Sequence, residues 1–296
     1  MSRDDLGDTT VVVVGDADAS PSSLDATTPE RARVSPLDRG FLYGDAAFET
    51  LRCYDGRPVL LSEHVDRLHE TLSALSIPAA PSVERVRAWT DRLLDGLATE
   101  TASDPTTGGY DGDAYVRLSV TRGERRGVLT PTETDPTLVG VAVPLSTRRY
   151  EPALVETADE RRYDAALYRL KTHNYLPSVL ARGESDADEV LMRDASGAVA
   201  SGAGSNVFVL DGDALVTPEA PVRRDVTREA VRSVAADLGY ATREARVRSV
   251  ADADAVVLTN TTWGVRPVGS VDGHPLPVPD AVERLADRYL DRVLPD

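Results

Sequence analysis

Tyr168-Arg169-Leu170-Lys171-Thr172-His173-Asn174-Tyr175-Leu176-Pro177 holds the only lysine of a 296-residue chain that carries 33 Lys and Arg in all. An arginine stays protonated. A lysine amine can lose its proton when desolvated and then attack a carbonyl. A chain that uses arginine at every other basic position and lysine here points to Schiff-base chemistry at Lys171.

The composition around that lysine narrows the field. The length allows a sizeable core and two domains, and 41 % hydrophobic residues fit a globular protein. A formal charge of −16 argues against a nucleic-acid partner, because phosphate backbones need basic surface. Acidic residues are spread along the whole chain while lysine is almost absent, a pattern that predicts a salt-rich, halophilic cytoplasm where screening relieves self-repulsion. Cys53 is alone, so no disulfide framework or zinc spacing exists, and it reads as a small buried hydrophobe. Met1-Ser2-Arg3-Asp4-Asp5 does not open a secretory signal, and no run approaches the ~18 apolar residues of a membrane span. The expected location is the cytoplasm. His64, His69, His173 and His274 form no ligand pairs at metal-binding spacing, so no metal site is expected. Neither a P-loop, a dinucleotide fingerprint nor a Gly-x-Ser-x-Gly elbow is present.

Upstream of Lys171 the pattern alternates strands and helices. Thr9 to Gly15 and Phe48 to Tyr54 read as strands, with Asp55-Gly56 as a hairpin turn. Ser62 is placed to cap a helix carrying Val65, Leu68, Leu72 and Leu75 inward. Arg67 lies off that stripe and by pattern alone faces solvent. Ser82 caps a second helix with Val83, Val86, Leu93, Leu94 and Leu97 inward, and residues 99–113 read as loop. In Tyr115 to Thr121, Val116, Leu118 and Val120 alternate with Arg117 and Ser119. Leu138 to Val143 is a buried strand. Downstream, a helix spans about 174–182, strands cover Glu189–Met192 and Asn206–Leu210, and Ser201 to Asn206 is a small-residue loop. Asp225-Val226-Thr227-Arg228 opens a helix whose N-terminus could hold a phosphate. Strand Ala255–Leu258 follows, and a last helix spans about 280–294. The order predicts an α/β (α+β) chain in two domains: 1–143, a linker at 144–152, and 153–296.

Several stretches, taken in order from about residue 34 to 272, resemble the class IV aminotransferase and lyase family, the fold-type IV pyridoxal-phosphate enzymes. They are Asp38-Arg39-Gly40-Phe41-Leu42-Tyr43-Gly44-Asp45, Phe48-Glu49-Thr50-Leu51-Arg52, His64-Val65-Asp66-Arg67-Leu68, Lys171 to Leu176, Asp188-Glu189-Val190-Leu191, Ser205-Asn206-Val207-Phe208 and Val226-Thr227-Arg228. The resemblance implies a small N-terminal and a larger C-terminal α/β domain with pyridoxal 5'-phosphate between them, a small-molecule substrate and a homodimer. Lys171 would carry the cofactor and move protons. Arg67 would hold the cofactor phosphate, against its solvent-facing pattern, with Val226, Thr227 and Thr261 as further phosphate contacts. Tyr175 or Asn174 would sit near the phenolic oxygen, and Ser201 near the ring nitrogen. Tyr43, Phe48 and Arg117 would face the substrate, Arg117 as a carboxylate clamp.

Two features are similar to the 4-amino-4-deoxychorismate lyases in that family: the three-residue step from Lys171 to Asn174, and the strand end Thr259-Asn260-Thr261-Thr262-Trp263-Gly264-Val265-Arg266-Pro267-Val268. The implied reaction yields 4-aminobenzoate and pyruvate, a step of folate-type biosynthesis. The alternatives are a branched-chain or D-amino-acid aminotransferase using 2-oxoglutarate, and an inactive member that serves as a binding protein. Two departures from the family stand out. Ser201 replaces the usual glutamate, so a hydroxyl would meet a neutral ring nitrogen and the electron sink would weaken. Asp225 replaces the usual glycine. At an effective dielectric of ~20 and ~6 Å, its charge would repel the phosphate by about 3 kcal/mol before salt screening.

Overall fold

The computed structural model describes residues 7–101, 109–126, 128–132, 134–162, 166–219 and 225–294. They divide into two compact units, each a mixed α/β assembly. In the N-terminal unit, strands β1 (Val11–Asp16), β2 (Ala26–Thr27), β3 (Ala46–Tyr54), β4 (Arg57–Pro58), β5 (Ala114–Thr121) and β6 (Thr137–Pro144) form one antiparallel sheet in the order β2-β1-β6-β5-β3-β4. Helices α1 (Arg39–Tyr43), α2 (Leu61–Leu75) and α3 (Val83–Thr101) complete the unit. The core lies between α2, α3 and the sheet face carrying Ala47, Leu51, Val116, Leu118 and Val120. Cys53 belongs to that core, and burial pushes its thiol up to about 12.

The period-2 and period-3.6 patterns place most of these elements where the structure has them. The start of α2 differs. Ser62 does not cap it. The helix begins at Leu61 from Leu60, which adopts a left-handed φ of 51° without a side-chain cap. Starting two residues earlier than a Ser62 cap would set turns Leu61 into the core, worth about 1.5–3 kcal/mol, against ~1 kcal/mol for a serine cap. Ser82 does cap α3, accepting from the N–H of Arg85, but α3 runs on to Thr101, into the stretch expected to be loop.

The C-terminal unit holds β7 (Ala153–Arg162), α4 (Leu176–Gly183), β8 (Glu189–Asp194), β9 (Val199–Gly202), β10 (Asn206–Asp211), β11 (Ala214–Pro218), α5 (Val226–Asp237), β12 (Ala241–Ala245), β13 (Ala255–Asn260), β14 (Gly264–Val271), β15 (His274–Pro275) and α6 (Asp280–Val293). Its nine strands form a mixed sheet in the order β12-β11-β10-β13-β14-β7-β8-β9, with β15 on β14. α6 buries Val282, Leu285, Tyr289 and Val293, the stripe its spacing predicts. α4 keeps Leu176, Val179 and Leu180 exposed and buries only Ala181. β7 went unread in the sequence because Glu156, Asp159 and Glu160 interrupt its apolar alternation. No helix among the described residues is long and apolar enough to cross a membrane.

The division differs from the sequence-based one at the decisive segment. Leu170–Asn174 belongs with the N-terminal unit and not with 153–296, and the N-terminal unit is no smaller than the other. The physical reason is hydrogen bonding along β3. Phe48 N–H donates to the Lys171 carbonyl at 2.9 Å, Thr172 forms a bridge with Ala47, and Lys171 N–H donates to the Thr71 hydroxyl at 3.3 Å.

Candidate functional site

That short segment fixes the surroundings of Lys171 within the N-terminal unit. Thr172 is buried, while its neighbours Lys171 and His173 stay partly accessible. The Phe48 ring collects the nitrogenous groups around them. Lys171 Nζ lies 4.5 Å from its centroid, the Arg117 guanidinium carbon 3.6 Å, and the His173 ring 5.8 Å with a 56° tilt. The paired β3–β5 register places Phe48 opposite Ser119 and Thr50 opposite Arg117, so these side chains share a sheet face. Ser119 Oγ is 3.0 Å from His173 Nε2. Burial, and then the Arg117 charge, pushes the His173 pKa down to about 4, with Asp38 opposing weakly. His173 is thus a neutral imidazole across the physiological range.

The other sheet face holds a buried charge network. Glu49 is in phase with Ala47 and Leu51 on β3, so its carboxylate points at α2. There Arg67 donates Nε to Glu49 Oε1 at 2.9 Å and Nη2 to Oε2 at 2.6 Å, and His64 Nδ1 lies 2.8 Å from Oε2. Arg67 is only 5 % exposed, which corrects the solvent-facing reading of its helical position. Burial pushes the Glu49 carboxyl up, but the Arg67 charge and the bonds from Arg67 and His64 outweigh it and hold the carboxyl far below its usual range. Burial keeps His64 below its ordinary value, against the pull of Glu49. A bidentate carboxylate fixes the plane of a guanidinium, so Arg67 is a preoriented cation.

Asn174 acts locally: Nδ2 donates to the Gly44 carbonyl at 3.2 Å and to Thr172 Oγ1 at 3.3 Å. Gly44 ends α1 with a left-handed φ of 68°, and a Cβ there would stand 2.9 Å from Asn174 Oδ1, so both the backbone and the contact select glycine. Tyr43, just before it, is exposed with the Arg39 guanidinium 4.9 Å from its ring.

In the C-terminal unit, α5 opens as its sequence predicts. Asp225 caps it, Oδ1 accepting from Thr227 N–H at 3.1 Å and from Arg228 N–H at 3.2 Å. Val226 and Thr227 are buried, and Thr227 Oγ1 is buried without a hydrogen-bond partner. A helix start beside an unsatisfied buried hydroxyl suits an oxyanion such as phosphate. The Asp225 carboxylate takes two of the N–H groups such an anion would use. Thr261 lies partly buried just beyond β13, and Tyr175 precedes α4. Ser201 sits buried in β9 and donates its hydroxyl to the Gly202 carbonyl at 2.8 Å. Glu189, on β8, faces that loop and accepts from Val190 N–H, Gly204 N–H and the Ser205 hydroxyl.

Glu49, His64 and His173 were not singled out as site residues. A signal existed for Glu49, a carboxylate in register with an apolar strand face, which needs a partner. None existed for His173, whose neighbours lie on β3 and β5. Among the described residues no group of three or more His, Cys, Asp or Glu could hold a metal ion.

Residues 46–271 match the family model of amino-transferase class IV. A putative branched-chain-amino-acid aminotransferase of Methanocaldococcus jannaschii is 31 % identical over 274 residues, covering 88 % of this chain and 91 % of that protein. An aminodeoxychorismate lyase of Bacillus subtilis is 31 % identical over 252 residues, 81 % of this chain and 82 % of its own. The crystal structure of 4-amino-4-deoxychorismate lyase from Pseudomonas aeruginosa superposes with a TM-score of 0.73 at 30 % identity, over 96 % of this chain and 98 % of that one.

Proposed function

Since the chain belongs to the class IV aminotransferase family, we propose that it is a lyase converting 4-amino-4-deoxychorismate to 4-aminobenzoate and pyruvate, with pyridoxal 5'-phosphate as cofactor and a cytoplasmic homodimer as the working form. The observation that carries the lyase reading is Ser201. Its hydroxyl donates to a backbone carbonyl and carries no charge that would keep a pyridine nitrogen protonated, and the nearby Glu189 carboxylate is turned to Val190, Gly204 and Ser205. Pyridoxal 5'-phosphate, when bound, supplies an electron sink for the pair released at the amine-bearing carbon. A weaker sink suits a reaction with its own driving force, and formation of an aromatic product provides one that transamination lacks.

The chain's own residues divide the remaining work. Lys171 Nζ takes the proton from the amine-bearing ring carbon and returns one to the enol of the departing pyruvate. Phe48 covers one flank of that amine and keeps water from it. Arg67, held by Glu49, is the cation for the phosphate, and Val226, Thr227 and Thr261 contribute neutral donors. Arg117 pairs with a substrate carboxylate, and Tyr43 borders the same substrate.

The test is direct. Cofactor-saturated protein at high salt should release pyruvate from 4-amino-4-deoxychorismate. The Methanocaldococcus relative favours a second reading, an aminotransferase. Glutamate formed from 2-oxoglutarate with valine, leucine or a D-amino acid, without pyruvate release from the chorismate derivative, would replace the first reading by the second.

A further inference from the structure

Arg117 is unusual among the buried and half-buried arginines of its unit. Arg39 binds Asp45 and the carbonyls of Val128 and Leu129, Arg52 binds Asp113, Arg67 binds Glu49, and Arg122 binds Asp45 and the carbonyls of Leu75 and Ser76. Arg117, half-buried on β5, has no carboxylate or carbonyl partner among the described residues; its contact is the face of Phe48. In a chain with 49 acidic against 33 basic residues, a half-buried guanidinium with no acid is a place kept for an anion from outside.

Beside it lies His173, reached through Ser119 and Phe48. Its Nε2 is engaged with the Ser119 hydroxyl, and its Nδ1 has no hydrogen-bond partner among the described residues. We propose that Arg117 and His173 form a carboxylate-recognition pair, in which His173 is the specificity-determining residue that selects a carboxylate over its neutral isosteres. This rests on Lys171 being the reacting amine next to the same Phe48 ring. In the pair, Ser119 donates to Nε2, which leaves the ring proton on Nδ1 to be given to one carboxylate oxygen while the guanidinium takes the other. A neutral donor is the right partner there. Lys171 and Arg117 already place two cationic groups around Phe48, and a third positive charge there would be repelled by both. The low pKa of His173 agrees with that division. The ligand class is a small molecule presenting one carboxylate close to its reacting amine.

The experiment compares 4-methylvalerate with its amide, 4-methylvaleramide, by calorimetry on the cofactor-loaded protein. The wild type should favour the acid strongly. His173→Phe should lower acid affinity about tenfold and leave the amide alone, Arg117→Met should lower it by up to about a hundredfold, and His173→Gln, which keeps a neutral N–H donor, should recover most of the loss. Nitrogen-15 spectra at pH 7 should show His173 neutral with its proton on Nδ1. An acid-to-amide ratio unchanged in His173→Phe, equal losses in Phe and Gln variants, or a proton on Nε2 would each overturn the pair. The probe reports on the pair whichever reaction the protein runs. Loss of the acid preference in His173→Phe alongside a failed pyruvate assay would retire the lyase and keep the pair.

Discussion

In the N-terminal unit the charges around Lys171 arrive already organised: Glu49 grips Arg67 and His64, Asn174 pins the segment to Gly44, and Ser119 engages His173. In the C-terminal unit the start of α5 and the Ser201 loop offer dipoles and hydroxyls, the charges of Arg228 and Glu189 are taken up by Glu229, Glu244 and loop donors, and Asp225 at the helix start works against an anion. The first region commits buried charge to the segment around Lys171. The second presents a helix start and a free hydroxyl, with its buried charges already paired. On the proposed reading, the amine and the cation for the phosphate would be held rigid in the first region, while single residues of the second would tune ring electronics and phosphate affinity.

The largest effect separates the amine from its surroundings. Lys171→Arg keeps the charge near Phe48 but has no amine that can be freed at neutral pH. Activity should fall by about 10²–10⁴-fold or more, and borohydride reduction should leave no pyridoxyl adduct on the Lys171 peptide, whereas the wild type yields one. Residual turnover close to wild type in Lys171→Arg would detach the whole N-terminal cluster from chemistry.

Next in size is the buried network. Glu49→Ala strands a buried guanidinium, and the expected loss is about 3–5 kcal/mol of folding free energy, measured by denaturant unfolding of the holoprotein. Removal of Ser201 by Ser201→Ala should cost far less, because a hydroxyl bonded to a neighbouring carbonyl is worth about 0.5–1.5 kcal/mol. Comparable losses from the two variants would erase the contrast between the regions.

Proton linkage sharpens it further. His173 has a folded pKa of about 4 against an ordinary 6.5. The folded state therefore binds fewer protons than the unfolded chain between those values. Stability should be full above pH 6.5 and decline as pH falls toward 4, by about 3 kcal/mol for this group. His64, also depressed, pulls the same way, and Glu49 adds a further loss below its ordinary 4.5. Thermal melts across pH 4–7 should show His173→Gln with a shallower decline than the wild type. Parallel profiles would mean that His173 is not the neutral group described.

Much of this was legible in the sequence, and the exceptions share a cause. Strand β5 and helices such as α3 and α6 follow from apolar period, and β1 follows from its continuous run of valines, buried on both faces at its start. The ordered motifs around Arg67, Lys171 and Val226-Thr227 pointed to the family. Pattern failed where a side chain's fate depends on a distant strand. Arg67 reads as solvent-facing until Glu49, 18 residues earlier, is known to face it. His173 reads as an isolated histidine until Ser119, on β5, is brought to 3.0 Å. Segment 170–174 reads as part of the second half because nothing local reveals its bonds to β3.

The smallest expected effect tests the weaker half of the contrast. Asp225→Asn keeps a good helix cap while removing the charge, and Asp225→Gly gives up the side-chain cap at a cost of a few tenths of a kcal/mol. Both should bind pyridoxal 5'-phosphate more tightly than the wild type at about 0.1 M salt, where the Debye length is ~10 Å, and the gain should shrink toward nothing near 1 M, where it is ~3 Å. Fluorescence titration of the apoprotein across that salt range reads both trends. The salt dependence is the informative part. A steric effect of the longer side chain would survive at any ionic strength and would separate Gly from Asn, whereas a charge effect would treat the two alike and vanish with screening. Equal affinity of all three proteins at low salt would mean that the Asp225 carboxylate leaves the helix start when phosphate arrives, and the C-terminal region would then be as well prepared for its anion as the N-terminal region is.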